Sequence, residues 1–282
     1  MNQFDHAIVY VPGDATNKPL WIDATAEFTK VGNLPYGDQD RRALIIAPGT
    51  QGLTVTPQPT PEDSLLVETR TFDLADYGPA KVVETSQTSG YIDAGYRAYY
   101  QNSDNPNVKQ MLDNYAKAAY AAQSPIDVTH GDAHDLTKPF DLTIVVPKAK
   151  RGDTGIDSAQ AALYPASAYN SLPGWFDRDP SVNRPKPGSP GEERLLKEQE
   201  QRSDVYEIAP FITERIYKIV PPAGFTVRGL PSNQTLQMGP ATLIRWRGCC
   251  FRDSGWWASR AERMRFGWRR FRCWPASSRF RR

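Results

Sequence analysis

The sequence predicts a β-dominated α+β chain, and three observations carry that prediction. Pro makes up 24 of 282 residues, above the roughly 5% of ordinary proteins, which favours turns over long helices. Short runs rich in β-branched and aromatic residues alternate with Pro- and Gly-containing turn signals. Apolar residues at helical spacing form a clear stripe at one place only, residues 106–121. At about 150 residues per domain, the length suggests roughly two domains with enough chain to bury a core.

The elements follow in order. Residues 4–11 (FDHAIVYV), 20–25 (LWIDAT) and 43–47 (ALIIA) read as strands, bounded by Pro12-Gly13, the loop 31–40 and Pro48-Gly49. Pro57, Pro59 and Pro61 make a stiff connector, so 1–56 is expected to be one unit and 61–176 a β-rich domain. In the latter, 64–74 and 80–89 read as strands joined at Asp76-Tyr77-Gly78-Pro79. Asn105 and Pro106 supply an N-cap and an N1 proline for the helix 106–121. Val108, Met111, Leu112, Tyr115 and Ala119 give it one buried stripe, which reads as core packing. Tyr91, Tyr96, Tyr99 and Tyr100, with Arg97 among them, read as an aromatic seam beside that helix rather than a stacking platform.

Further strands are expected at 140–147 and 159–164. Residues 177–204 hold 13 charged residues and four Pro among 28, too polar to order themselves, and read as a linker or long surface loop. Strand-like sequence resumes at 205–208, 212–220 and 225–228, so 205–244 is expected to complete the β-rich domain.

The net charge of +2 averages two unlike pieces. Residues 245–282 contain 12 Arg, two acids, five of the seven Trp and all three Cys (Cys249, Cys250, Cys273), with no Leu, Ile, Val or Lys. Residues 1–244 hold 22 bases and 30 acids, a net of −8. One reading of 245–282 is an arginine-rich, nucleic-acid-binding arm. The other, preferred on composition, is an out-of-frame tail: purposeful charge runs normally mix Lys with Arg and carry polar spacers. Nucleic acid is therefore not expected as a partner. The cysteine spacing fits neither a zinc site nor a disulfide framework.

His6 and Asp23 stand out in the first strands. If those strands pair as an antiparallel hairpin, the two side chains can share a face. The carboxylate would then fix the imidazole tautomer and leave the other ring nitrogen to accept a proton from a nucleophile. A surface histidine and a turn aspartate remain the plain alternative.

Phe4-Asp5-His6-Ala7, followed by Leu20-Trp21-Ile22-Asp23-Ala24-Thr25, resembles the His and Asp segments of the bacterial transglutaminase-like superfamily. Phe28, Gly32-Asn33-Leu34-Pro35 and Ala43-Leu44-Ile45-Ile46 resemble the continuation in large multidomain members of the DUF3857 type. The resemblance covers residues 4–47 and is looser over 61–244. It implies a papain-like core with a Cys–His–Asp triad, in which His6 is the general base and Asp23 its orienting carboxylate. It also implies thiol-dependent acyl transfer or amide hydrolysis on peptide or protein substrates. In that family the Cys precedes the His, at a helix start that lowers its pKa. Here no Cys precedes His6, and all three lie in 245–282.

The expectation is therefore a C-terminal portion of a transglutaminase-like protein, inactive as given. Residues 1–56 would be the remnant of the papain-like core, expected to be poorly ordered or aggregation-prone because strands that pack on the Cys-bearing helix would expose an apolar face, while 61–244 folds more independently. The alternative is a non-catalytic β-rich binding or scaffold module. No cofactor and no metal are expected. No apolar run reaches the roughly 18 residues of a membrane span, and no signal peptide is legible. The compartment stays open, an exported or periplasmic parent being compatible.

Three weaker motifs read as structural. Thr129-His130-Gly131-Asp132-Ala133-His134-Asp135 reads as a solvated loop rather than a metal loop. Arg151-Gly152-Asp153 reads as a turn, and Asn233-Gln234-Thr235 as a chance glycosylation match.

Overall fold

The computed structural model describes residues 4–102, 104–163, 188–194, 205–206, 209–225, 233–238, 241–252, 255–266 and 271–272. The chain divides into two compact units, one of 1–164 with 210–267 and the other of 165–209 with 268–282. The first is β-dominated α+β. No helix among the described residues is long and apolar enough to cross a membrane.

The first unit opens with β1 (Val9–Val11) antiparallel to β2 (Leu20–Ile22), pairing Val9 with Ile22. Tyr10 and Trp21, opposite each other in this ladder, hold their rings 4.7 Å apart. Next come β3 (Arg42–Ala43) and β4 (Thr54–Val55), a short antiparallel pair. The strand expected over 43–47 thus ends at Ala43, and Leu44 and Ile46 beyond it are exposed. Its apolar residues read as a strand, but no ladder continues there to hold them.

The main sheet is built from β5 (Leu65–Asp73), β6 (Gly78–Thr88), β7 (Asp127–His130), β8 (Asp141–Thr154) and β9 (Ala159–Ala161). Two helices, α1 (Gly90–Tyr100) and α2 (Pro106–Tyr120), lie between β6 and β7 in sequence. In the second unit, β10 (Val205–Tyr206) pairs with β15 (Phe271–Arg272). The main sheet is completed by β11 (Phe211–Val220), β12 (Gln234–Met238), β13 (Ala241–Arg252) and β14 (Gly255–Phe266).

Strand order in the main sheet is β12-β13-β14-β11-β5-β6-β8-β7, with β9 alongside β8. All neighbours are antiparallel except β5 and β11, which run parallel with Ile212 opposite Leu65. Within 245–282, the segment set apart by its composition, the backbone of 245–252 belongs to β13 and that of 255–266 to β14, and β14 pairs with β11. Residues 164–187 and 195–204, most of the charged linker segment, lie outside the described residues, as do 226–228 of the strand expected over 225–228.

One face of the sheet packs on the helices. Phe72, Val82, Leu142, Ile144, Val146 and Ala149 from the strands enclose Leu112, Ala116 and Tyr120 of α2. Val108, Met111, Tyr115 and Ala119 pack at the margin of this core. The Asn105 side chain accepts from the Asn107 amide, Pro106 stands at the first helical position, and Ala121 closes the helix in the left-handed region. The opposite face carries a row of threonines across four strands: Thr69 faces Thr85, Thr85 faces Thr143, and Thr143 faces Thr129. Such cross-strand pairs stabilise the sheet by a few tenths of a kcal/mol each, up to about 1 kcal/mol.

Helix α1 was not legible as a helix, and the tyrosines read as a seam beside a helix lie on this one. Gly90 makes its entry possible. It adopts φ +64, and a Cβ there would meet the Asp63 carbonyl oxygen at 2.2 Å, so only glycine fits. Arg151-Gly152-Asp153 is not a turn. It lies inside β8, with Gly152 packed so closely on Ala80 that a Cβ would stand 2.6 Å from that side chain. Gln234 and Thr235 belong to β12.

Residues 4–56 pack against the rest of their unit. Phe28 is buried with Phe140 and Ala133 beside Ala94, Tyr96 and Tyr100 of α1. Lys30 Nζ is 3.6 Å from Asp93 Oδ2, and the Tyr36 ring leans on Tyr91.

Candidate functional site

The β1–β2 hairpin places His6 just before one strand and Asp23 just after the other. His6 Nε2 stands 3.3 Å from Asp23 Oδ1 and 3.9 Å from Asp38 Oδ2. The structure thus brings the two sequence-predicted residues together and adds a third, Asp38, which the sequence reading left in the loop 31–40.

Hydrogen bonds hold the Asp23 carboxylate itself and the backbone turn that carries Asp38. The Asp23 Oδ1 accepts from the Thr25 amide at 2.9 Å and from Thr25 Oγ1 at 2.7 Å, a turn that the spacing Asp-Ala-Thr sets up. Asp38 ends a short 3₁₀ turn, Tyr36–Asp38. The Thr56 hydroxyl donates to the Asp38 carbonyl at 2.6 Å and accepts from the Arg41 amide at 2.8 Å, fastening that turn to the segment beyond β4.

The carboxyls differ electrostatically. Burial works to raise Asp23, but the two bonds from Thr25 and the facing His6 outweigh it and hold the group below its usual range. Asp38 moves the other way: burial raises it, His6 opposes, and the neighbouring Asp23 carboxylate pushes it up further. Asp23 is buried, with 6% of its side chain exposed, whereas His6 keeps 38% exposed. His6 and Asp38 line a cleft of about 740 Å³ with Tyr10, Trp21, Arg41 and Ile46.

The segment 129–135, expected as a solvated loop, instead begins with the last two residues of β7 and buries Ala133, and it assembles no such site. His130 Nδ1 lies 2.7 Å from the Gly131 carbonyl, and its ring leans on Phe140. His134 faces Glu27 at 3.5 Å and the Phe28 ring instead. The loop is organised by Arg97, fully buried on α1. Its Nε donates to Asp93 Oδ2 at 2.8 Å, and its terminal nitrogens donate to the carbonyls of Asp132, Ala133, Asp135 and Lys138.

A second polar cluster lies between the main sheet and α2. Arg70 sits within 3.2 Å of Glu84 and 3.4 Å of Glu68, and donates to the hydroxyls of Tyr217 and Tyr115. Arg215 Nε donates to Glu68 at 2.6 Å. Tyr115 and Tyr120 both donate to Glu84. Burial pushes Glu84 up to about 7, with Arg70 opposing and Glu68 reinforcing. The buried charges are paired with one another, and the tyrosine hydroxyls bond to them, which suits a structural role in seating α2.

His6, Asp23 and Asp38 are the only group of three or more potential metal-ligating side chains that converge among the described residues. Against protein-family models, curated proteins and solved structures, the chain matches none.

Proposed function

We propose that residues 4–56 carry the base–carboxylate half of a transglutaminase-like, thiol-dependent acyl-transfer site, and that the chain does not acylate or cleave by itself. The observation that carries this reading is the 3.3 Å approach of His6 Nε2 to Asp23 Oδ1. In neutral imidazole one nitrogen donates and the other accepts. Donation from Nε2 to Asp23 leaves Nδ1 as the base, and the cleft beside His6 offers room for an acyl group. Residues 4–56 contain no Cys, so in this reading the thiolate comes from outside that segment.

Exposed aliphatic side chains support the same reading. Leu44, Leu53 and Val55 are exposed, and Ile46 is 96% exposed, as expected of a core whose covering helix is supplied from elsewhere. The peptide or protein substrate of an intact enzyme follows from the resemblance alone.

The test supplies the thiol in trans. His6 would take the proton of a small added thiol, the thiolate would attack an aryl ester, and phenolate would leave as the thioester forms. The expected result is no turnover above buffer without thiol, and thiol-dependent turnover that His6→Ala abolishes. Equal turnover in wild type and His6→Ala would remove the reading. It would leave the second one, a non-catalytic binding module, which the same cleft, lined by both charged and apolar side chains, favours.

A further inference from the structure

We propose that His6, Asp23 and Asp38 form a binding site for one divalent transition-metal cation of the zinc class. The inference goes beyond the acyl-transfer reading and does not rest on it. The three ligating atoms lie within 4.8 Å of one another. Two of the separations, 3.3 Å and 3.9 Å, are measured from the same imidazole nitrogen. Zinc bonds of about 2.0–2.1 Å to nitrogen and oxygen place tetrahedral ligands about 3.3 Å apart. One of these two separations already matches that spacing and the other exceeds it by about 0.6 Å, so the two aspartates must draw in toward the imidazole.

The chemistry of the set points the same way. Imidazole with two carboxylates suits zinc and its neighbours, whereas magnesium and calcium prefer oxygen alone. Asp23 and Asp38, drawn together around one imidazole, repel each other unless a cation or proton lies between them. Outer-shell support is in place: Thr25 bonds the Asp23 carboxylate, and Thr56 fixes the turn that carries Asp38. Three protein ligands leave a coordination position open, and the cleft lined by His6 and Asp38 gives access to it.

Metal and base chemistry exclude each other at one atom. A cation takes the Nε2 lone pair and leaves the ring proton on Nδ1, whereas the acyl-transfer reading keeps the proton on Nε2. Asp38 belongs to the metal site only, so its variants separate the two readings.

Cobalt(II) is the probe, because a low-symmetry site with nitrogen and oxygen ligands gives visible ligand-field bands. The full chain is used with Cys249, Cys250 and Cys273 changed to Ser, which removes thiolate ligands. One Co²⁺ per chain with visible bands, displaced by Zn²⁺, is expected. His6→Ala and Asp38→Asn should each weaken binding at least about tenfold, the loss that an outer-shell partner alone typically costs. Asp38→His, which keeps a ligating atom, should retain the bands and covers the case in which Asp38→Asn fails to fold. His134→Ala should bind as the parent does. No Co²⁺ uptake, or uptake unchanged by both His6→Ala and Asp38→Asn, would overturn the proposal, whatever the ester assay shows.

Discussion

His6 Nε2 faces Asp23 Oδ1 at 3.3 Å, and the same carboxylate oxygen is held from the other side by both donors of Thr25. The carboxylate therefore cannot swing away from the imidazole without losing two bonds. Thr25→Ala removes the hydroxyl bond and loosens the turn. We expect a loss of about 1 kcal/mol in urea unfolding, and weaker coupling of His6 to Asp23 in the imidazole ¹⁵N spectrum. Thr25→Ser should restore both.

Arg97 is the second point of rigidity. Its guanidinium closes four loop carbonyls and the buried Asp93 onto α1. Arg97→Met leaves Asp93 without its closest charge partner and should cost about 3–5 kcal/mol. Hydrogen exchange should then quicken across 131–140. Lys at this position keeps the charge but not the planar fork, and should recover only part of the loss.

Phe28 anchors the N-terminal residues. It is buried between Phe140 and α1, so Phe28→Ala should cost about 3 kcal/mol and open residues 4–56 to protease ahead of the main sheet. Equal cleavage of both regions in the variant would show that Phe28 is not the anchor.

Glu84 gives the protein a pH dependence. Its folded-state value near 7 lies above the ordinary 4.5, so the native state holds a proton that the unfolded chain has lost. Stability should fall as pH rises from about 4.5 to about 7 and level off above, by a few kcal/mol at most. Glu84→Gln removes this group's titration, and its unfolding midpoint should vary less over the same range.

The parts of this fold that local chemistry dictates were legible in the sequence. Asn105 and Pro106 announced α2, and two strand-like runs joined at Asp76-Tyr77-Gly78-Pro79 announced β5 and β6. The hairpin that joins His6 to Asp23 followed from two short strands and a turn-rich loop. Helix α1 was hidden because Gly90 and Gly95 weaken its propensity and its inner face is held by the Asp93–Arg97 pair rather than an apolar stripe. The parallel pairing of β5 with β11 joins residues 147 apart, such as Arg70 and Tyr217, and leaves no local trace. Asp38 was missed for a similar reason: it reaches the site through the Thr56 bond across 18 residues, not through a motif. Composition set 245–282 apart, but composition is blind to backbone pairing: β14 runs beside β11, and β13 beside β14.

In the proposed acyl-transfer reading Asp23 fixes which nitrogen of His6 carries the proton, and the long-range ¹H–¹⁵N spectrum of the imidazoles reports that position. With three His in the chain, His6 is assigned by its loss in His6→Ala. In the chelator-treated full chain, at a pH where the ring is neutral, we expect a proton on Nε2 and a bare Nδ1, with that preference lost in Asp23→Asn. A proton on Nδ1 in the wild type, or a spectrum unchanged by Asp23→Asn, would contradict it.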